Sequence, residues 1–293
     1  MTTRGRPLVD LHAHTSASDG GDDPPALVQA AAGAGVEVLA VTDHDTVAAV
    51  ATAKAAGLRL GVEVLAGCEL TANLGGRVVH VLVYGESLLD PDLGEAVEAA
   101  RSGRQERNLA IGGRLRELTG VGHDQAMAIA GGSVLSRAHF ARALVAHGVV
   151  ADVAEAFDRY LSSGRPAYVP APSVPVADAV ALAGKAGGVA VLAHPGRLGD
   201  GERDRVLTEA VAAGIDGIEV WHSQHDAELR RRLLRLVDRH GLLATGGSDY
   251  HGVHKPSVRL GSGVDGNVAV PHELLDGLRA RLASMERPVD DPG

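Results

Sequence analysis

Short apolar runs rich in Val, Leu and Ile alternate with longer amphipathic stretches near both ends of the chain. This alternation is typical of repeated βα units, which build a parallel sheet or barrel. The predicted strands cover residues 8–10, 38–42, 62–66, 78–83, 189–193, 218–221 and 242–244. The predicted helices between them cover residues 24–33, 46–56, 176–186, 202–213, 227–240 and 272–285, and several of these are followed by a glycine.

The middle of the chain has a different pattern. Residues 86–170 show helical patterns over 91–118, 123–130, 137–146 and 152–162, and almost no strand signal. We therefore expect an α/β barrel domain formed by residues 1–85 and 171–293, with residues 86–170 as a small helical insertion subdomain between two of its strands. A chain of 293 residues has room for this arrangement.

Composition narrows the classes of function. The 28 basic and 37 acidic side chains give a net charge of −9, and aromatic residues make up only 2% of the chain, which argues against a protein that coats long nucleic acids. The single cysteine, Cys68, excludes disulfide frameworks and thiolate zinc sites. No apolar run reaches the length of a membrane span, so we expect a cytoplasmic protein without a membrane partner.

Histidines and acids recur where the predicted strands end. Because the carboxyl ends of parallel strands converge on one face of a barrel, we expect these side chains to meet there. The predicted metal ligands are His12, His14, Asp19, His44, Glu69, His80, His194, Asp249 and His251. A lone histidine at a strand end is usually structural, but packing alone does not explain one at nearly every strand. Nitrogen and oxygen ligands without sulfur suit two or three manganese, iron or zinc ions.

Other polar residues receive different interpretations. Asp43 and Asp45 flank His44 and are expected to support the site or cap the next helix. Cys68 alternates with Glu69 along its strand, so its thiol should face the core. Three arginines of the predicted insertion are expected to lie on a solvated helix face, because acidic residues interleave with them, namely Arg101, Arg104 and Arg107. Guidance of an RNA backbone by these arginines is the alternative. His222 and His225 stay unassigned.

Four short signatures occur in order along the chain, namely HxH at 12–14, DHD at 43–45, AHPGR at 193–197 and SDxH at 248–251. Together they resemble the PHP family of metal phosphoesterases, named for its polymerase and histidinol phosphatase members. The resemblance covers about 1–85 and 171–260 and implies a distorted seven-stranded (β/α) barrel with a trinuclear metal centre. It implies one metal on His12, His14, Glu69 and Asp249, a second on Glu69, His80 and His194, and a third on Asp19, His44 and His251, with Glu69 bridging.

Three further stretches, at 136–142, 160–170 and 194–197, are similar to one branch of that family. The branch removes the 3′-phosphate from nucleoside 3′,5′-bisphosphates and trims short RNA from its 5′ end. The resemblance implies a small phosphorylated partner, a nucleotide or a short oligoribonucleotide. Arg137, His139 and Arg197 are the candidate substrate contacts, because guanidinium groups match phosphate oxygens.

The expected reaction is attack on phosphorus by a hydroxide held between two divalent ions, with catalytic roles for Glu69, Asp249 and His194. Two alternatives remain open at this point. The same centre would serve a histidinol-phosphate phosphatase, since the pocket sets specificity. A non-catalytic metal-binding regulatory module is the second alternative, although no expected ligand is missing from the sequence.

Overall fold

The computed structural model describes residues 8–131, 135–170 and 173–285. Its strands are β1 (Leu8–Ala13), β2 (Val36–Val41), β3 (Glu63–Leu74), β4 (Arg77–Tyr84), β5 (Val174–Pro175), β6 (Val189–Leu192), β7 (Gly217–Trp221), β8 (Leu243–Gly246), β9 (Val258–Arg259) and β10 (Gly263–Val264). The central sheet has the order β1-β2-β3-β4-β6-β7-β8, with β5 paired to β3, while β9 and β10 form a separate ribbon. The chain is therefore an α/β protein with a mostly parallel central sheet.

One central strand departs from the parallel arrangement expected from the sequence. β3 and β4 form an antiparallel hairpin in which Thr71 lies opposite His80, and β4 is also antiparallel to β6. The amino-terminal half of β4 consequently lies at the edge where β3 carries Glu69. His80 reaches the common edge for this reason, although it is not at the carboxyl end of its strand.

Helices pack on the sheet in three groups. In the described residues the α-helices are α1 (Pro24–Ala34), α2 (Val50–Leu60), α3 (Pro91–Thr119), α4 (His123–Ala130), α5 (Arg137–Ala146), α6 (Val153–Ala156), α7 (Val176–Lys185), α8 (Asp200–Ala212), α9 (Ala227–His240) and α10 (Glu273–Met285). Helices α1 and α2 pack against β1, β2 and β3, and helices α7, α8 and α9 pack against β3, β4, β6 and β7. The alternate residues of β1, β2, β4 and β6 pack with α10 in another apolar cluster, as the two-residue period of a strand requires.

Helices α3 to α6 lie between β4 and β5 in the chain. Their buried apolar residues form a cluster of their own, which extends from Ile111 to Ala167 and includes Phe140 and Leu144. This cluster contains no residue of the central sheet. Helix α3 spans 29 residues and carries polar side chains from the cluster toward the sheet edge.

Several predicted boundaries are wrong for identifiable reasons. Helix α2 begins at Val50, because the preceding loop is tied to β3 through Asp45 and Thr71. It ends at Gly61 with φ of 72°, whereas Gly57, the predicted end, lies inside the helix. Strand β3 continues to Leu74 because its pairing with β4 replaces its pairing with β2.

Within the described ranges, no helix combines the length and the apolar character needed to span a bilayer.

Candidate metal centre

The structure brings all nine predicted ligands to one edge of the sheet. They come from β1 or the loop after it (His12, His14, Asp19), from the loop after β2 (His44), from β3 and β4 (Glu69, His80), from the loop after β6 (His194) and from the loop after β8 (Asp249, His251). Residues separated by more than two hundred positions thus share one cluster. Most of them are buried, and Glu69 is only 1% exposed.

Glu69 lies at the centre of the cluster. Its Oε1 lies 2.8 Å from His80 Nδ1 and 2.8 Å from His194 Nε2. Its Oε2 faces three other rings, His12 Nε2 at 3.2 Å, His14 Nε2 at 3.1 Å and His44 Nδ1 at 3.3 Å. One carboxylate therefore faces two groups of imidazole nitrogens, the arrangement that a bridging ligand requires.

Two further carboxylates flank this centre. Asp19 lies 3.3 Å from His251 Nε2 and 3.8 Å from His44 Nε2. Asp249 Oδ1 lies 3.4 Å from His14 Nε2 and 3.7 Å from His12 Nε2. The carboxylates of Asp19 and Asp249 therefore both face imidazole nitrogens of the cluster around Glu69.

The donor set fits divalent metal ions. Four groups of side chains each place their ligand atoms within 4.8 Å of one another, namely His14/Asp19/His44/His251, His12/His14/Asp249, His12/Glu69/His194 and His44/Glu69/His80. In addition, His14 Nε2 and His44 Nδ1 are buried without a hydrogen-bond partner. Buried polar atoms are rarely left unpaired, so these two nitrogens point to a ligand between them and Glu69. All the donors are nitrogen or oxygen, which suits borderline metals.

The ionisation states of three side chains in the cluster favour the binding of cations. Burial alone would raise the pKa of Glu69, but His44, His80 and His12 outweigh it and hold that pKa well below the usual carboxyl range. Burial likewise opposes ionisation of Asp249, yet Lys255 and His14 keep its pKa well below normal. Both carboxylates are therefore anionic at neutral pH. Burial lowers the pKa of His194 to about 3, so its ring nitrogen is free to donate a lone pair.

The buried carboxylate of Glu219 on β7 orients two of the predicted ligands, and sequence reasoning missed it. Its Oε1 lies 2.9 Å from His12 Nδ1, and its Oε2 accepts the backbone N–H of His194 at 2.7 Å. The Nδ1 proton of His12 is thereby held toward Glu219, which leaves Nε2 to face Glu69. The only available sequence signal was an acid in the apolar run 218–221.

Backbone strain is concentrated at the cluster. Among the described residues other than glycine, only Asp45, His194, Asp249 and Asp265 have positive φ, at 51°, 28°, 58° and 51°. His194 also precedes Pro195, which disfavours such a conformation. Strain of about 1–3 kcal/mol per residue persists only where the surroundings impose it, and it is common at functional sites.

Asp43 and Asp45 support the loops that carry the predicted ligands. Asp43 accepts hydrogen bonds from the backbone and hydroxyl of Thr15 at 2.8 and 2.7 Å, and from Ser18. Asp45 accepts from the backbone and hydroxyl of Thr71 at 2.7 and 2.9 Å. The supporting role is confirmed, whereas the predicted helix cap is wrong, because α2 begins after Ala49.

The predicted solvated arginine face is wrong for two of its three members. Arg104 forms a 2.5 Å ion pair with Asp45, and Arg107 donates to the carbonyl of Val169 at 2.9 Å. Both side chains are partly buried, because α3 lies against the edge of the sheet. The side chain of Arg101 lies outside the described part of the structure.

The two unassigned histidines take structural positions beside the cluster. His222 accepts a hydrogen bond from the backbone of Gln224, so its Nε2 proton faces Asp249 at 3.4 Å. His225 accepts the N–H of Gly196 and faces the carbonyl of Val220 through Nδ1. These bonds fix both tautomers. Cys68 lies in the apolar core, as predicted.

The cluster opens into a mouth cavity of about 380 Å³. All three predicted substrate contacts line it, namely Arg137, His139 and Arg197. His139 is only 2% exposed, and its Nδ1 accepts the N–H of Ser136 at 3.0 Å. Sequence reasoning missed Lys255, which also lines the cavity and donates to Asp249 at 2.6 Å.

Residues 10–109 match the family profile described as PHP domain, and this segment contains six of the nine predicted ligands. A 3′,5′-nucleoside bisphosphate phosphatase of Chromobacterium violaceum is 38% identical over 248 residues, which cover 83% of this chain and 87% of that protein. The chain belongs to the PHP family. The family resemblance inferred from four short signatures is therefore confirmed.

Two other comparisons show that the similarity to PHP proteins extends over most of this chain. A 5′-3′ exoribonuclease of Haemophilus influenzae is 36% identical over 247 residues, which cover 83% of this chain and 89% of that protein. The crystal structure of a Bifidobacterium adolescentis protein assigned as a metal-dependent phosphoesterase superposes with a TM-score of 0.80 at 33% identity. That match covers 94% of this chain and 97% of the other. The helices α3 to α6 therefore belong to the shared structure.

Proposed function

We propose that this PHP protein is a metal-dependent phosphatase that removes the 3′-phosphate from nucleoside 3′,5′-bisphosphates. The observation that carries the proposal is the cluster around Glu69, which lies beneath a cavity lined by Arg137, Arg197 and Lys255. The carboxylates and imidazoles at the base of the cavity suit metal ions that assist hydrolysis. The cationic side chains that line the cavity suit an anionic substrate. The names of the relatives in Chromobacterium violaceum and Haemophilus influenzae support a nucleotide or a short RNA as substrate.

We assign two or three divalent ions, of manganese, iron or zinc, to the cluster. The ligand sets are His12, His14, Glu69 and Asp249; Glu69, His80 and His194; and Asp19, His44 and His251. The short distances from Glu69 to His80 and His194 support the second set. When bound, such ions polarise phosphoryl oxygens and lower the pKa of water toward neutrality.

The chain itself contributes binding and orientation. Arg137 and Arg197 hold the oxygens of the reacting phosphate, because their guanidinium groups line the cavity above the cluster. Glu69, Asp249 and His194 keep their catalytic assignment as ligands that position the reacting groups. His139, whose Nδ1 is engaged by Ser136, orients the start of α5, which carries Arg137.

Two architectural proposals accompany this function. We assign residues 86–170 to an insertion subdomain, supported by the separate apolar cluster of α3 to α6. We also infer that the sheet is the distorted seven-stranded barrel of the family. Hydrogen bonds from His14 N to Tyr250 O and from Asp249 N to His12 O, at 3.0 and 2.9 Å, support closure between β1 and the segment after β8. The cytoplasmic location stays a prediction from sequence.

A substrate panel tests the function. Manganese-loaded protein is assayed with adenosine 3′,5′-bisphosphate, a 5′-phosphorylated oligoribonucleotide, AMP and histidinol phosphate. We expect the bisphosphate to have the highest kcat/KM, with slower trimming of the oligoribonucleotide from its 5′ end. A preference for histidinol phosphate would replace the proposal by the alternative phosphatase.

Matched variants test the site. Asp249→Asn should reduce turnover by at least about a hundredfold, because it removes a ligand charge, whereas Asp238→Asn on the exposed face of α9 should not change it. Equal turnover in the two variants would exclude the cluster as the reaction site. No turnover on any substrate by manganese-, iron- or zinc-loaded protein would favour the regulatory-module alternative.

A further inference from the structure

A groove lies between helices α8 and α9, apart from the mouth cavity. It has a volume of about 430 Å³, and we call it the arginine groove. Three arginines, one acid, two leucines and a threonine line it, namely Arg232, Arg235, Arg239, Asp204, Leu207, Leu236 and Thr208. The three arginines share one face of α9, because residues three and four positions apart are neighbours on a helix surface. They therefore form a row along the groove.

Positive charge in the arginine groove exceeds its counter-charge. Arg232 pairs with Asp204 across the two helices. For Arg235 and Arg239, the described residues place no carboxylate within 4.0 Å. The remaining acids of α8 are engaged by other arginines, in the pairs Arg203–Asp200, Arg77–Glu202 and Arg205–Glu209. Two guanidinium groups of the groove are therefore available to an anion.

The arginine groove also offers apolar contact. Leu207 is 4% exposed and Leu236 is half-buried, and both line the groove. The hydroxyl of Thr208 already donates to the carbonyl of Asp204 at 2.9 Å, so the arginines supply the free donors. A ligand that combines anionic groups with less polar parts, as a sugar-phosphate backbone does, matches this lining.

The arginine groove begins near the metal centre. Helix α8 begins at Asp200, three residues after Arg197 of the mouth cavity, and α9 begins after the loop that contains His222. Both helices run away from the sheet edge that carries the cluster. At about 1.5 Å per residue, Asp204 lies about 6 Å and Arg239 about 18 Å from the starts of their helices. A strand that leaves the mouth cavity past Arg197 therefore meets the groove.

We propose that the arginine groove binds backbone phosphates of a single-stranded oligoribonucleotide whose 5′ end lies in the mouth cavity. This inference rests on the proposed function and deepens it, because it assigns contacts to the part of the RNA that is not being hydrolysed. A row of guanidinium groups matches a linear polyanion better than a single phosphate. Since the chain has a net charge of −9, local contacts and not the overall field provide the attraction.

The first experiment measures binding without metal and without turnover. Metal-free protein is titrated into a 5′-phosphorylated octaadenylate labelled at its 3′ end, and fluorescence anisotropy is recorded at several salt concentrations. Arg235→Gln/Arg239→Gln, which we call the groove variant, should bind at least about tenfold more weakly, the effect of losing charge-assisted hydrogen bonds. The slope of log K against log salt should become shallower by about 1.4, since each phosphate contact on a single strand contributes about 0.7.

The matched control is Arg59→Gln/Arg231→Gln. It removes two exposed arginines outside the groove and changes the net charge by the same amount, so it should bind the octanucleotide as the unmodified protein does. The thermal unfolding midpoint checks folding. Equal affinity of the groove variant and the control, or no binding by the unmodified protein at low salt, would overturn the proposal. If the groove variant does not fold, Arg239→Gln is compared with Arg231→Gln in the same way.

The second experiment measures hydrolysis by manganese-loaded protein. The ratio of kcat/KM for the octanucleotide to that for adenosine 3′,5′-bisphosphate should fall at least about tenfold in the groove variant. The change should lie in KM for the octanucleotide, because a contact remote from the reaction is equally strong in the ground and transition states. Hydrolysis of the bisphosphate should not change, since it has no strand to reach the groove. An unchanged ratio contradicts the proposal.

The outcomes separate the two proposals and the possible occupants. Hydrolysis of the bisphosphate, with equal octanucleotide binding by the groove variant and the control, retains the proposed function and rejects the groove. Weaker octanucleotide binding by the groove variant alone, without hydrolysis of any substrate by the unmodified protein, retains the groove and rejects the phosphatase. A hexaglutamate peptide that binds the unmodified protein more tightly than the octanucleotide, and not the groove variant, would assign the groove to an acidic protein partner and overturn the proposal.

Discussion

At the scale of single residues, the site depends on side-chain atoms whose hydrogen-bond partners fix their role as donor or acceptor. Glu219 has one carboxylate oxygen facing the Nδ1 of His12 and the other accepting the backbone N–H of His194. Both groups are donors, so both oxygens must be acceptors. The strained backbone of His194 is held in part by the second of these bonds. A buried side chain that does not line the mouth cavity therefore sets the direction of two proposed ligands.

Replacing Glu219 by glutamine tests this dependence. The amide has one acceptor and one donor, so its NH₂ group must face either His12 Nδ1–H or the N–H of His194. We expect about ten- to a hundredfold weaker metal affinity, the usual cost of disturbing a group that orients ligands. Competition with a chromogenic chelator measures it, and Glu228→Gln on exposed α9 is the control. Unchanged affinity in Glu219→Gln would show that the ligands are held without Glu219.

At the scale of secondary-structure elements, contacts between elements decide which substitutions each element tolerates. Helix α3 contains two adjacent glycines in different surroundings. A Cβ at Gly112 would lie 2.7 Å from Cβ and 2.8 Å from the backbone N of His123, whereas a Cβ at Gly113 would meet nothing within 4 Å. Close approach of α4 therefore requires glycine at the first position and not at the second.

Single alanine substitutions should separate the two glycines. Gly113→Ala should raise the free energy of unfolding by about 0.5–1 kcal/mol, because alanine loses less backbone entropy in a helix. Gly112→Ala should lower it by about 1–3 kcal/mol, since the contact with His123 forces the two helices apart. Urea unfolding measures both. Stabilisation by both substitutions would show that α4 does not approach α3 this closely.

At the scale of the whole molecule, the metal centre joins distant parts of the chain. Its proposed ligands run from His12 to His251, and β1 is bonded to the segment after β8 beside them. Several buried carboxylates and imidazoles share this region, so an ion bound there would stabilise the sheet as a whole. The net charge of −9 contrasts with the arginine-lined cavities, so anions are attracted locally and not by the overall field.

Metal binding should therefore stabilise the fold globally. Addition of Mn²⁺ to metal-free protein should raise the free energy of unfolding by about 2.7 kcal/mol when the ion is at a hundred times its Kd. Calorimetry should show a higher Tm that a chelator reverses. His251→Ala should lose part of this gain, and His240→Ala, at the exposed end of α9, should keep it. An identical Tm with and without Mn²⁺, Fe²⁺ or Zn²⁺ would argue against resident ions.

The sequence by itself determined the family, the α/β character and the set of side chains that gather at one edge of the sheet. Strand ends can be recognised from local hydrophobic pattern, and parallel packing brings such ends together, so His12, His194 and Asp249 could be predicted. Their assignment as ligands stays a proposal.

Only the tertiary structure decided the roles of Glu219, Lys255 and Arg104. Glu219 resembles any acid in an apolar strand until His12, 207 residues earlier, is placed beside it. The sequence around Arg104 has the pattern of a solvated helix face. The side chain of Arg104 points toward the sheet because β3 and the Asp45 loop pack against α3. The antiparallel direction of β4 could not be predicted from the sequence for the same reason. Strand pairing depends on contacts between distant segments, which the local sequence pattern does not encode.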